Sequence, residues 1–375
     1  MNTATPTSAV LFDTLPTHSG PHWGVATLNA PAALNALSPP MVEALAAQLA
    51  RWANDLQVAG VLLQASGDKA FCAGGDLRHM HQALVGGSGD PVAAVQGFFN
   101  TQYALDYTIH TYPKPILCWG HGIVMGGGLG LMAGASHRVV TPGSRLAMPE
   151  VSIGLYPDVG GSWFLRRMPG RVGLFLALTG APLNAADALF CGLADHALPH
   201  TDKGALLQAL AHAPWTHDAP HNRANLSRLL AQQAAATPLP ASPVRTHFDQ
   251  IQQLMAGQDL FDIDARLRSL QSDAPWLASA AAAYAQGCPT SAALAFALWQ
   301  RCLHLSLAEV LRLEYTVSLG CCVHPNFAEG VRALLVDKDR NPRWVPARLA
   351  DVTPAWVNAH FQPRHQGVHP LASLV

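Results

Sequence analysis

The run MPEVSIGLYPDVGGSWFL, residues 148–165, holds two carboxylic acids, Glu150 and Asp158, and no other charge. Prolines and glycines surround both. A carboxylate in so apolar a stretch is costly to bury without a partner. Two acids placed close together in apolar surroundings have raised pKa values that spread apart. One can then act as nucleophile or general base while the other positions the attacking group or moves a proton. The plainer alternative is that each acid only caps a turn, Asp158 the one before Gly160-Gly161.

Two glycine-bearing loops could serve such a pair. In FCAGGD, residues 71–76, Gly74 and Gly75 let the backbone approach a ligand because no Cβ stands in the way. The competing role for Asp76 is that of a helix N-cap after a strand-to-helix turn. In GIVMGGGLGL, residues 122–131, three glycines open an apolar segment that reads as a buried helix. Its first N–H groups and the positive end of its dipole would face a ligand. One N–H from each loop could grip an oxygen that gains negative charge during reaction, and a thioester carbonyl is a natural client.

Other chemistries find little support. The chain has 375 residues, half of them apolar and 13% charged, with a net charge of −1. That balance implies no nucleic-acid-binding face. The eighteen histidines include no HExxH or Cys/His ligand spacing, so no metal is expected. No GxSxG elbow is present, which disfavours a serine hydrolase. Cys72 has no thiolate activator beside it in sequence. Seven scattered cysteines without a CxxC pair fit a reducing compartment. The N-terminal residues lack the charge pattern of a signal or transit peptide. The most apolar run, 122–135, is too short to span a bilayer. These features together read as cytoplasmic, with no membrane partner.

The elements that must position these residues read as α/β in the first half. Strands are expected over 9–12 and 22–28 as a meander, then 60–65, 115–119, 138–140 and 145–147. Helices are expected over 39–54, behind the Ser38-Pro39-Pro40 start signal, and from about 91 to 110. A polar, Gly-rich stretch, 79–90, precedes the latter. Beyond residue 198 Ala-rich helical patterns dominate, broken by a Pro-rich segment at 236–243. Helices are expected over 246–257, 263–272, 274–286, 291–304, 307–319 and 354–361. The division expected is a core of residues 1–200 and a helical region of 201–375 packing on it.

Several long segments, FCAGGDLR (71–78), GIVMGGGLGL (122–131), AMPEVSIGLYPDVGGSWFL (147–165), LALTGAPLNAADALFCGLADH (176–196), EVLRLEY (309–315) and FAEGVRALLVDKDRNPRW (327–344), resemble the crotonase (enoyl-CoA hydratase/isomerase) superfamily, and within it the 3-hydroxyisobutyryl-CoA hydrolase branch. The resemblance implies a crotonase-like spiral of ββα turns with a helical C-terminal extension. It implies an acyl-CoA thioester as substrate, so that CoA is part of the substrate and no separate cofactor is needed, and relatives that assemble as homo-oligomers. It maps oxyanion-hole donors onto Gly75 and Gly127 and the functional acids onto Glu150 and Asp158. Gly130 stands where hydratases carry their first catalytic glutamate. Gln102, in FFNTQY, replaces a substrate-contacting glutamate of the hydrolase pattern and bears on acyl preference. Gly74, Asp76 and Arg78 are further candidate substrate contacts, and Lys338 and Arg343 weaker candidates for CoA phosphates. Met80, Phe99, Met125, Leu155 and Trp163 are candidates for an acyl pocket, or plain core. The expected activity is thioester hydrolysis. The alternatives are an enoyl-CoA hydratase or isomerase using Glu150 alone, and a non-catalytic CoA-binding module.

Overall fold

The strand VLFDTL, Val10–Leu15 (β1), lies antiparallel to His22–Leu28 (β2), with Val10 opposite Leu28 and Leu15 opposite Trp23. In the computed structural model, which describes residues 8–86, 90–234, 237–257 and 259–375, the pair opens a larger sheet. The first seven residues, part of the polar, Gly-rich stretch and the start of the Pro-rich segment lie outside the described residues. The remaining strands are Val58–Ala65 (β3), Ala70–Cys72 (β4), Ile116–Gly120 (β5), Ile123–Met125 (β6), His137–Val140 (β7), Arg145–Ala147 (β8) and His196–Ala197 (β9). The main sheet has the order β1-β2-β3-β5-β7-β9, and a small one has β4-β6-β8. From β2 onward the main sheet is parallel. A parallel pair needs a crossover, which the helix Pro39–Asn54 supplies between β2 and β3. Its Met41, Leu45, Leu49 and Trp52 are all buried, as their helical spacing predicts. β3 reads VAGVLLQA and is buried almost throughout, as expected of a strand covered on both faces.

The chain forms two compact units, each built from separate stretches. The first takes residues up to 75, 108–146 and 184–241; the second takes 76–107, 147–183 and 242–375. The division expected at residue 200 therefore falls inside the first unit. The reason is hydrophobic. In the helices Lys203–His212 and Ala219–Ala234, Leu206, Leu210, Leu226 and Leu230 recur every four residues, and they share one core with Trp23, Leu62, Leu117 and Trp119 of the sheet.

The second unit is helical. Pro91–His110 begins where it was expected, and its residues up to 107 belong here. Residues 79–86 of the polar, Gly-rich stretch are helical, in Leu77–Gly86. Asp76 caps that helix, its Oδ1 accepting from the His79 N–H at 3.1 Å. Leu307–Val323 runs longer than expected and starts in a capping box between Ser306 and Glu309. Pro275–Gln286, Pro289–Arg301 and Pro354–His360 each start at a proline, where the missing N–H costs nothing. The expected helix from 246 is two shorter ones, Pro243–Thr246 and Phe248–Leu254, and that from 263 starts earlier, as Leu260–Ser269. No helix among the described residues is long and apolar enough to cross a membrane.

Candidate active site

In the first unit the two glycine loops approach each other. β4 and β6 pair in parallel, Cys72 beside Val124, and each strand leads directly into its loop. Gly74 has φ of +109°, and a Cβ placed on it would lie 3.4 Å from the Met125 oxygen and 3.9 Å from the Gly127 nitrogen. Glycine is needed there for the backbone angle alone. Gly127 is the first residue of the buried helix Gly127–Gly134, whose N-cap is Gly126 with φ of +50°. Its N–H belongs to the first turn, which has no intrahelical acceptor. Gly75 is bridged to Leu37, and Leu37 donates its N–H to the Gly74 oxygen. This unit thus brings Gly74, Gly75 and Gly127 together. Gly130 is buried within the helix.

In the second unit both acids are buried, Glu150 at 5% exposure and Asp158 at 6%. Glu150 opens the 3-10 turn Glu150–Ile153, which ends at Gly154 in the left-handed region, φ +73°. Asp158 follows in the loop before the helix Gly161–Phe164. Neither side chain caps the 3-10 turn that Glu150 opens or the helix that follows Asp158. The Glu150 Oε2 is buried without a hydrogen-bond partner among the described residues. Burial pushes its pKa well above the carboxylic-acid range, and the nearby Asp158 charge pushes it further. Asp158 is pushed up to about 6 by burial, against the hydrogen bond it receives from Tyr103.

Around Asp158 lies a set of buried polar side chains. The Tyr103 hydroxyl donates to Asp158 Oδ2 at 2.6 Å and lies 2.8 Å from Ser318 Oγ. Ser318 Oγ is 2.9 Å from the Tyr156 hydroxyl, which donates to the Glu314 carbonyl at 2.7 Å. The Glu314 carboxylate accepts from the N–H groups of Gly160 and Ser162, holding the far side of the Asp158 loop. Burial and the Asp158 charge push Glu314 up to about 8, against those two N–H donors. Asp106, one helical turn from Tyr103, is fully buried, and both its oxygens lack partners among the described residues. Its pKa is pushed well up by burial, then by the charges of Asp158 and Glu314.

Gln102 is buried on the same helix as Tyr103, and successive helical residues point about 100° apart. Asp76 serves as the helix cap already described. Arg78, Lys338 and Arg343 are exposed. Met80, Phe99 and Leu155 are buried, whereas Met125 and Trp163 are half-buried, with Arg167 stacked 3.9 Å over the Trp163 ring. Sequence reasoning missed Tyr103, Asp106, Tyr156, Glu314 and Ser318. Glu314 lies in EVLRLEY and Tyr103 beside Gln102, so both stood in segments singled out for their resemblance. Nothing local distinguished Ser318 or Asp106.

A parallel sheet closed by crossovers, paired glycine loops and buried acids define a protein of the enoyl-CoA hydratase/isomerase class. The family model with that description matches residues 23–361, and the chain belongs to this family. Among curated relatives, the 3-hydroxyisobutyryl-CoA hydrolase, mitochondrial, of Xenopus tropicalis is 37% identical over 339 residues, 90% of this chain and 86% of that protein. The human protein of the same name is 35% identical over 343 residues, with the same shares. Among solved structures, an enoyl-CoA hydratase from Rhodobacter sphaeroides is 36% identical with a TM-score of 0.81, covering 95% of this chain and 98% of its own. A carnitinyl-CoA dehydratase from Mycobacterium thermoresistibile is 38% identical with a TM-score of 0.83, covering 95% and 97%.

Proposed function

We propose that the protein hydrolyses an acyl-CoA thioester, with 3-hydroxyisobutyryl-CoA as the substrate and 3-hydroxyisobutyrate and free CoA as products. Such a reaction belongs to valine breakdown. The observation that carries the reading is the buried pair Glu150 and Asp158, with one Glu150 oxygen left unpartnered. Once ionised, a carboxylate held so, with its pKa raised, is a stronger base toward water or a stronger nucleophile toward a carbonyl carbon. The names of the curated relatives support the same substrate.

The roles divide by residue. The N–H groups of Gly75 and Gly127 stabilise the thioester oxygen as it becomes an oxyanion. Glu150 delivers the attack, as base toward water or as nucleophile, and Asp158 partners it. Gln102, Gly74, Asp76 and Arg78 contribute to substrate binding, with Gln102 bearing on the acyl group. CoA enters and leaves with the substrate. Seven buried cysteines, none of them in a disulfide among the described residues, support a reducing compartment, which we take to be the cytoplasm.

A second reading, double-bond hydration or isomerisation, is favoured by the names of the structural relatives. Gly130, standing where the resemblance places the first catalytic glutamate of hydratases, counts against hydration. Following free thiol and enoyl absorbance with 3-hydroxyisobutyryl-CoA and with crotonyl-CoA separates the two. Thiol release from the first substrate alone supports hydrolysis. Turnover of crotonyl-CoA without thiol release overturns it. Binding of CoA thioesters without turnover of either indicates a non-catalytic module.

A further inference from the structure

Four contacts run in a line from Asp158 Oδ2 to Tyr103, to Ser318, to Tyr156 and to the Glu314 carbonyl, at 2.6, 2.8, 2.9 and 2.7 Å. Every hydroxyl in the line is fully buried, with no other partner among the described residues. A hydroxyl brings one proton, and a backbone carbonyl brings none. The three hydroxyls therefore supply three protons for four contacts when Asp158 is ionised. One oxygen pair must then face each other without a proton, in a low-dielectric interior where that is costly. A proton on Asp158 completes the set. Asp158 then donates to Tyr103, Tyr103 to Ser318, Ser318 to Tyr156, and Tyr156 to the Glu314 carbonyl.

We infer that the Tyr103–Ser318–Tyr156 line is a device that keeps Asp158 supplied with a proton, making it the acid of the pair, with Ser318 and Tyr156 as positioning residues that act through Tyr103. The inference rests on the hydrolase reading for its chemical use. As water attacks the carbonyl carbon, it gives a proton to Glu150 and forms the new C–O bond. As the C–S bond breaks, the leaving sulfur takes the proton from Asp158. Glu150 then loses a proton to solvent and Asp158 regains one, so the cycle balances.

Burial raises Glu150 as well, and the line of hydroxyls is what favours the proton on Asp158 over Glu150. The groups that face Asp158 are Tyr103 and Asp106 on the helix Pro91–His110, Glu150 on its 3-10 turn, Tyr156 on its own loop, and Glu314, Cys321 and Cys322 on the helix Leu307–Val323. None of them is a cation.

The test is an infrared pH titration of the intact, substrate-free protein. The carbonyl stretch of a protonated carboxyl is assigned to Asp158 by its loss in Asp158→Asn. Removing Ser318 leaves one proton for the Tyr103–Asp158 contact and one for the Tyr156–Glu314 contact, so the ionised acid is fully satisfied. Removing the Tyr156 hydroxyl likewise lets Ser318 donate to Tyr103 and Tyr103 to the carboxylate. The midpoint of the Asp158 band is expected to fall by about one pH unit or more in both Ser318→Ala and Tyr156→Phe. It is expected to rise in Tyr103→Phe, which removes the donor to the carboxylate. Opposite signs from neighbouring hydroxyls are not produced by general loosening. An unmoved midpoint in the folded Ser318→Ala and Tyr156→Phe variants overturns the inference. Tyr156→Phe keeps the ring in place and carries the test alone if the serine variant does not fold. Because the band is read without substrate, the result stands apart from the identity of the acyl-CoA.

Discussion

The Glu314 carboxylate accepts a hydrogen bond from the Gly160 N–H at 2.7 Å, joining residues 154 positions apart in sequence. Its other oxygen takes the Ser162 N–H, so one side chain holds the turn that follows Asp158. Truncation to alanine would strand two buried N–H groups and open a void. Glu314→Ala is expected to lose about 2–4 kcal/mol of stability, measured by denaturant unfolding, and to lower thiol release in the fraction that remains folded. A loss below about 0.5 kcal/mol would show that the turn holds itself.

Glu150 has a buried oxygen without a hydrogen-bond partner among the described residues, and the proposed function makes it the base. Glu150→Gln keeps the shape and removes the base. Thiol release is expected to fall by a factor of about 100 to 10,000 while CoA-thioester binding, followed by calorimetry, persists. Unchanged release would take Glu150 out of the chemistry.

Gly127 occupies the first helical position, where proline is tolerated because its N–H is not needed by the helix. Gly127→Pro therefore deletes a candidate oxyanion donor with little cost to the helix itself. A drop of about 100-fold or more in kcat is expected, with circular dichroism unchanged. Wild-type kcat in the folded variant would exclude that donor.

Gly154 ends the turn that carries Glu150, at φ +73°, and an added Cβ would lie 2.2 Å from the Asn326 backbone oxygen. Strain and clash act together, and backbone has little room to yield. Gly154→Ala is expected to cost roughly 2–4 kcal/mol and to reduce activity by misplacing Glu150. A melting temperature within about 1 °C of wild type would mean that the loop and Asn326 part easily.

The buried acids give a pH signature. Asp158 is raised to about 6 and Glu314 to about 8, so between the ordinary carboxylate range and those values the folded chain holds protons that the unfolded chain has released. Their stabilising contribution is complete at low pH and is lost as pH rises through the folded values. His110, His137 and His360, lowered to about 4, act with the opposite sign, but only up to the ordinary histidine value of 6.5. The carboxyl effect is left unopposed between about pH 6.5 and 8. The melting temperature is expected to fall across that interval, and Glu314→Gln to flatten the fall. A rising wild-type melting temperature there would contradict the placement of these acids.

Much of the second half of the chain was legible as helices because their starts are marked by proline or by capping residues, which act locally. The segment 79–86 shows no helix signal in its polar, Gly-rich composition, whereas the Asp76 cap and packed Met80 favour a helix. The boundary near residue 200 was misplaced because helical periodicity shows that a face will be buried without showing against what. Leu206, Leu210, Leu226 and Leu230 found the sheet of the first unit.

Glu150, Asp158 and the paired glycine loops could be named from sequence because residue type and local spacing carry the signal: acids in an apolar run, and glycines where a Cβ would obstruct. The partners of Asp158 could not. Tyr103 reaches it, and Ser318 and Glu314 reach Tyr103 and the following turn, from positions 55 to 160 residues away from Asp158, and the hydroxyls of buried tyrosine and serine look in sequence like those of any core residue. Whether a carboxyl keeps its proton depends on desolvation and on counting donors against acceptors at contact distance, and those quantities exist only once the chain has folded.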